Sequence, residues 1–135
     1  GDPETQAVLP VVEEDLLPLL KQSADGDLGP DRIVAANGAA LCVVMASGGY
    51  PESYEKGKAI DGLENGLGEG IVVFHAGTSM KDGHLVTAGG RVLGVTGIGR
   101  DFREAAKRAY LGTSQISFDK AYYRHDIGYR VLGST

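Results

Sequence analysis

Few side chains in this sequence are singled out by type and local setting for acid–base, nucleophilic, metal or anion-binding chemistry. They are three histidines (His75, His84, His125), one cysteine (Cys42) and Arg91 behind two glycines. No two histidines stand three or four residues apart, so no helix turn pairs them on a metal. A single cysteine excludes a disulfide framework and a cysteine-built zinc site. His75 ends an apolar run and opens His75-Ala76-Gly77-Thr78. A polar side chain at a strand end, with glycine clearing space beside it, can be aimed at a ligand; it can equally be a hydrogen-bonded, half-buried histidine. His84, beside a turn, reads as solvated. Arg91 follows Gly89-Gly90 at a strand start, where a guanidinium can grip a phosphate or carboxylate bidentately or make a surface ion pair. Cys42 lies inside an apolar run, a setting for inert packing and not for a nucleophile. In the stretch Tyr122-Tyr123-Arg124-His125-Asp126, strand alternation puts Tyr122, Arg124 and Asp126 on one face, and a structural Arg124–Asp126 pair is favoured over a catalytic dyad. Gly94-Val95-Thr96-Gly97-Ile98-Gly99 precedes a helix, as phosphate loops do. Its glycine order is not a dinucleotide fingerprint and no lysine follows, so it reads as a turn with a permissive backbone. These residues contain no nucleophile–base pair, and they define only a glycine-rich, ligand-compatible edge.

The elements that must position them read as α+β. Residues 3–23 form a helical lead opened by Asp2-Pro3-Glu4, a capping acceptor, a first-turn proline and an acid favoured by the dipole. Pro10 splits that lead and Pro18 interrupts its second half, and residues 25–31 form a polar loop. The apolar run 39–46 predicts a strand covered on both faces, and Ser47-Gly48-Gly49-Tyr50-Pro51 a turn. Residues 57–70 are irregular and glycine-rich. Further strands are expected at 71–76, 85–87 and 91–96, with Asp82-Gly83 as a hairpin signal between the first two. Asp101 and Glu104 make a capping-box-like pair. They open a helix to about residue 115 whose packed face carries Phe102, Ala105, Ala106, Ala109 and Tyr110. Residues 116–119 and 121–123 read as a return to strand.

Composition narrows the classes. Thirteen basic against 18 acidic residues give a net charge of −5 without basic blocks, which argues against a nucleic-acid surface. The longest apolar run is far short of the roughly 20 residues a membrane-spanning helix needs, and no signal peptide opens the chain; a cytoplasmic protein is expected. Glycine, at 21 of 135 residues, is about twice the usual ~7% share. The chain starts at Gly1 and not at methionine, as a processed product or a piece of a longer protein would.

Six ordered blocks carry a resemblance. They are Gly1-Asp2-Pro3-Glu4-Thr5-Gln6 with Val8-Leu9-Pro10, Met45-Ala46-Ser47-Gly48-Gly49-Tyr50-Pro51, Tyr54-Glu55-Lys56-Gly57, Val73-Phe74-His75-Ala76-Gly77-Thr78, Gly89-Gly90-Arg91-Val92-Leu93-Gly94-Val95-Thr96 and Tyr123-Arg124-His125-Asp126-Ile127-Gly128-Tyr129-Arg130. In that order and spacing they closely resemble the C-terminal part of the phosphoribosylamine–glycine ligases, also called glycinamide ribonucleotide synthetases. The resemblance implies an ATP-grasp ligase of de novo purine synthesis that joins glycine to 5-phosphoribosylamine through a glycyl phosphate, using ATP and Mg²⁺ (or Mn²⁺). Residues 1–36 would be the tail of the ATP-grasp domain and a linker, and residues 37–135 a C-terminal domain like the rudiment single hybrid motif. The family's metal-holding acid and asparagine lie upstream of the Gly-Asp-Pro-Glu block. This segment alone would therefore bind neither ATP nor metal, would carry no catalytic residue, and would be inactive without the N-terminal and ATP-grasp domains as partners. Arg91 is then the expected phosphate contact, with His75, Gly77 and Thr78 lining the same edge. Asp2 and Glu4 would orient the nearby metal site without touching the ion. A stand-alone sugar-phosphate-binding module and a non-catalytic structural domain are the alternatives.

Overall fold

The computed structural model describes residues 1–27, 34–35 and 37–133. Part of the polar loop expected over 25–31 therefore lies outside the described residues. The frame is an antiparallel sheet ordered β1–β5–β2, made by β1 (Ala39–Ala46), β5 (Arg91–Gly99) and β2 (Ile71–His75). β1 is buried along nearly its whole length, as its unbroken apolar run requires. A separate ladder joins β3 (Thr78–Lys81) to β4 (His84–Thr87). Asp82 and Gly83 link them with φ of 50° and 79°, the two positive values of the tight hairpin turn their sequence encodes. The turn does not connect β2 to β4 as the sequence pattern implied. β3, too polar to read as a strand, intervenes, and β2 pairs with β5 instead.

β5 runs through Gly99, so residues 97–99 are strand and not turn. Their glycines serve a close approach: a Cβ on Gly97 would collide with the backbone of Ala105 and Ala109, and one on Gly99 would lie 2.6 Å from the Ala105 nitrogen. The contacting helix is α3 (Phe102–Gln115), whose Ala105, Ala106 and Ala109 are buried against β1 and β5. Phe102, assigned to the packed face by its spacing, is 46% exposed; the small residues do the packing because only they fit a helix this near to a strand. The main core lies further along the same face of the sheet, where Met45, Leu93 and Val95 meet Ile60, Leu67 and Phe118.

The helical lead divides into α1 (Glu4–Val8), a 3₁₀ turn at Leu9–Val11 holding Pro10, and α2 (Leu16–Asp25). Asp15 caps α2 by accepting from Leu17 N at 3.1 Å. Pro18 then falls in the first turn, where its missing N–H has no intrahelical acceptor. Asp2 does not cap α1: no side chain does, because the Asp2 carboxylate turns to Arg91. The strand expected over 116–123 reduces to two isolated bridges, Asp61–Ser117 and Ala46–Tyr122. Lys120, at φ 58°, turns the backbone between them and prevents a ladder. A short helix, α4 (Tyr129–Leu132), follows Gly128 at φ 81°.

Asp101 accepts from Glu104 N at 2.8 Å, and Glu104 accepts from Arg100 N at 2.9 Å, so the capping pair forms with Glu104 reaching one residue further back. The Arg100 backbone bond, helped by the Arg100 side chain, holds the Glu104 carboxyl below its ordinary pKa. A depressed carboxylate pKa contributes stability that is present above the unfolded value of about 4.3 and is lost as pH falls through the folded value. Replacing Glu104 by glutamine is thus expected to lower the melting temperature at pH 7. Melting curves between pH 7 and pH 3 should show the gap from the parent closing at the acid end; a constant gap would reject the linkage.

Candidate functional site

The site begins with a register slip. Cys42 faces Thr96 and Val44 faces Gly94, but Ala46 faces Arg91, with the shift falling between Met45 and Ala46. One extra residue on β5 makes a bulge, which swings Arg91 onto the face of Gly94 and Thr96; without it Arg91 would follow Leu93 and Val95 into the core. That face carries α1. Arg91 Nε lies 3.2 Å from Asp2 Oδ2, and Arg91 Nη1 donates to the Asp2 carbonyl at 3.2 Å. The fully buried Thr96 hydroxyl donates to the Gln6 carbonyl at 2.9 Å. Asp2 and Arg91 thus complete the surface ion pair that was one of the two sequence readings of Arg91.

Beside them opens a cavity of about 320 Å³, lined by Pro3, Val44, Tyr50, Arg91, Tyr122 and Arg124 among others. Tyr50 lies over Gly90, where a Cβ would strike its ring, so the second glycine before Arg91 is needed for that ring to pack. Asp126 accepts from Arg124 Nε at 2.8 Å and from Nη2 at 2.7 Å. This bond holds the Asp126 carboxyl below its usual range and pushes the Arg124 guanidinium up. Cys42 also lines the cavity, and burial raises its thiol pKa, in keeping with an inert side chain.

His75 belongs elsewhere. It faces Leu93 across the β2–β5 ladder, on the core side of the sheet. There it lines a second cavity of about 470 Å³ with Ile60, Asp61, Glu64, His84 and Leu85. Its Nδ1 lies 3.0 Å from the Thr78 hydroxyl, so His75 and Thr78 form a pair. Gly77 lines neither cavity. Its N–H donates to Val92 O at 3.0 Å, its carbonyl accepts from Ala88 and Gly89, and a Cβ there would collide with the Arg91 carbonyl. Of the four residues expected on one edge, Arg91 and Gly77 are neighbours through the backbone, while His75 and Thr78 face the other way. Glu4 is exposed on the first turn of α1. Tyr50, Tyr122 and Arg124 were not placed beside Arg91 by sequence reasoning. The alternation that put Tyr122 and Arg124 on one face was the signal that could have found them.

No three His, Cys, Asp or Glu residues among those described assemble a metal-binding group, and the glycines of the supposed phosphate loop are built into β5. The described residues therefore offer no ready-made ligand set for a divalent ion. No helix among the described residues is long and apolar enough to cross a membrane.

Known proteins extend these observations. Residues 40–130 match the family described as phosphoribosylglycinamide synthetase, C domain. The phosphoribosylamine–glycine ligase of Synechocystis sp. is 49% identical over 98% of this chain, which spans 32% of that relative. The chloroplastic phosphoribosylamine–glycine ligase of Arabidopsis thaliana is 45% identical over 98% of the chain and 25% of its own length. A crystal structure of phosphoribosylamine–glycine ligase from Thermotoga maritima superposes with a TM-score of 0.80 at 37% identity, covering 95% of this chain and 31% of that one. The chain thus spans about a third or less of the relatives it matches. With more than half of its residues matched to the C domain, this α+β chain belongs to the phosphoribosylglycinamide synthetase family.

Proposed function

We propose that this chain works as the C-terminal part of an ATP-dependent ligase that joins glycine to 5-phosphoribosylamine in purine synthesis. The observation that carries the reading is the collinear identity of 45–49% to phosphoribosylamine–glycine ligases over 98% of the chain. On this reading residues 1–36 are the tail of the ATP-grasp domain with a linker, and residues 37–135 form the C-terminal domain. ATP and Mg²⁺ or Mn²⁺ would supply carboxylate activation and would be held by the N-terminal and ATP-grasp domains, in a cytoplasmic enzyme. The exposed leucines of α2, Leu17 at 72% and Leu20 at 58%, supply an apolar face suited to those domains.

The contribution of this chain is positional. The bulge and Asp2 fix the Arg91 guanidinium before any ligand arrives, so little side-chain entropy is lost when it meets the ribose phosphate. Gly77 keeps the backbone behind Arg91 close. Arg91 takes the phosphate directly, and His75 with Thr78 orders the strand end on the opposite cavity. Asp2, committed to Arg91, couples the α1 segment to β5 and so orients what precedes it; Glu4, two residues on, opens α1.

The test is ADP release that depends on glycine and phosphoribosylamine, measured with this chain, with the upstream polypeptide, and with the two mixed. Activity only in the mixture is expected. Full activity of the upstream polypeptide without this chain would refute the reading, as would activity of this chain alone.

A further inference from the structure

We infer that Arg124 is a second anion-binding guanidinium in the Arg91 cavity, and that the pair receives a phosphorylated ligand whose sugar or planar body lies against Tyr50 and Tyr122. The inference rests on the reading of Arg91 above and extends it to a residue no comparison assigns.

Two arginines line one largely apolar cavity, and each has a carboxylate partner that uses only part of its fork. Asp126 takes the Nε and Nη2 edge of Arg124, and Asp2 takes the Nε and Nη1 side of Arg91. A guanidinium offers five N–H donors, so each arginine keeps three beyond those bonds. The carboxylates act as struts: they fix both planes and leave donors for an incoming anion, which a mobile surface arginine would have to order at binding. At about 320 Å³ the cavity sits at the lower end of the ~300–1,000 Å³ range of small-molecule sites. That suits a pentose phosphate and not a dinucleotide. Two other concave sites differ from it. The His75 cavity is lined by Asp61 and Glu64 without an arginine. The hollow holding Arg100, Arg103 and Lys107 is open surface, with Arg100 89% exposed and paired to Glu104.

Ribose 5-phosphate is the probe, as an inhibitor of the assembled ligase that competes with phosphoribosylamine. Replacing Arg124 by alanine is expected to raise its inhibition constant, and the KM for phosphoribosylamine, about tenfold or more, the effect of losing a charge-assisted contact. The KM for ATP should not move. Arg124→Lys keeps the charge but not the fork and should fall between the parent and the alanine variant; it also decides the matter if the alanine variant does not fold. An unchanged inhibition constant in Arg124→Lys and Arg124→Ala, alongside a rise in Arg91→Ala, would overturn the role of Arg124 and leave Arg91 as the phosphate contact. No change in any of the three variants would overturn the Arg91 reading as well. A KM for ATP that rises in step with that for phosphoribosylamine would overturn the sugar-phosphate assignment.

Discussion

Substituting Gly97 with valine is expected to lower the melting temperature by about 10 °C or more. Two effects oppose each other at this position. Valine is favoured in strands on a scale of ~1 kcal/mol, so propensity alone predicts a gain. Packing predicts a loss, because the new Cβ would enter the backbone of α3 at Ala105 and Ala109 and lie 3.0 Å from the Arg108 Cβ. Backbone atoms of a capped helix cannot swing aside as a side-chain tip can, so α3 must lift from β5. Overpacking of this kind costs ~1–3 kcal/mol and more where backbone is displaced; at about 4 °C per kcal/mol for a domain of this size, the expected shift follows. Gly66 is the control. It has φ of 70° with nothing within 4 Å of a Cβ, so Gly66→Ala meets only the left-handed backbone penalty of ~1–2 kcal/mol. Calorimetry that finds Gly97→Val no worse than Gly66→Ala would reject the close helix–strand contact.

The glycines also show where the sequence could be read and where it could not. Residues 39–46, the Asp82-Gly83 turn and the Asp101 cap were legible because each is a local signal, a run of apolar residues or a backbone preference within four positions. Gly97 and Gly99 carry no such mark. Their role depends on a helix that packs across them from later in the chain, and from sequence alone they look like a loop. β3 was illegible because three of its four residues are exposed, so no alternation of burial is written into Thr78–Lys81. The site divides along the same line. Arg91 stood out by its local setting, but the bulge that turns it toward Asp2 is a property of the β1–β5 register, and the company of Arg124 depends on residues 46 and 122 bridging across the domain. The family resemblance put His75 on the Arg91 edge, with no local signal to fix the face. Pairing with Leu93 instead of a position one residue away puts it on the opposite face, as period-two alternation demands.

Leu93 is where these features meet, and Leu93→Ala is expected to cost about 2–5 kcal/mol, or roughly 8–20 °C in melting temperature. Its side chain has no exposure and packs among Met45, Val95, Ile60 and Phe118, with Met45 facing it on one side and His75 on the other. Truncation leaves a cavity that neither neighbouring strand can close, since both are hydrogen-bonded to β5. Val72→Ala on β2, at 36% exposure, removes less buried surface and should cost under about 1 kcal/mol. Loss of Leu93 also loosens the strand beside the bulge, two residues from Arg91. Under the proposed function, the KM of the assembled ligase for phosphoribosylamine should therefore rise with Leu93→Ala at temperatures well below its melting point, while Val72→Ala leaves it unchanged. A destabilised Leu93→Ala enzyme with an unaltered KM would mean that Arg91 is positioned by Asp2 and the α1 segment alone. In that case the core beneath β5 supports the fold without tuning the site.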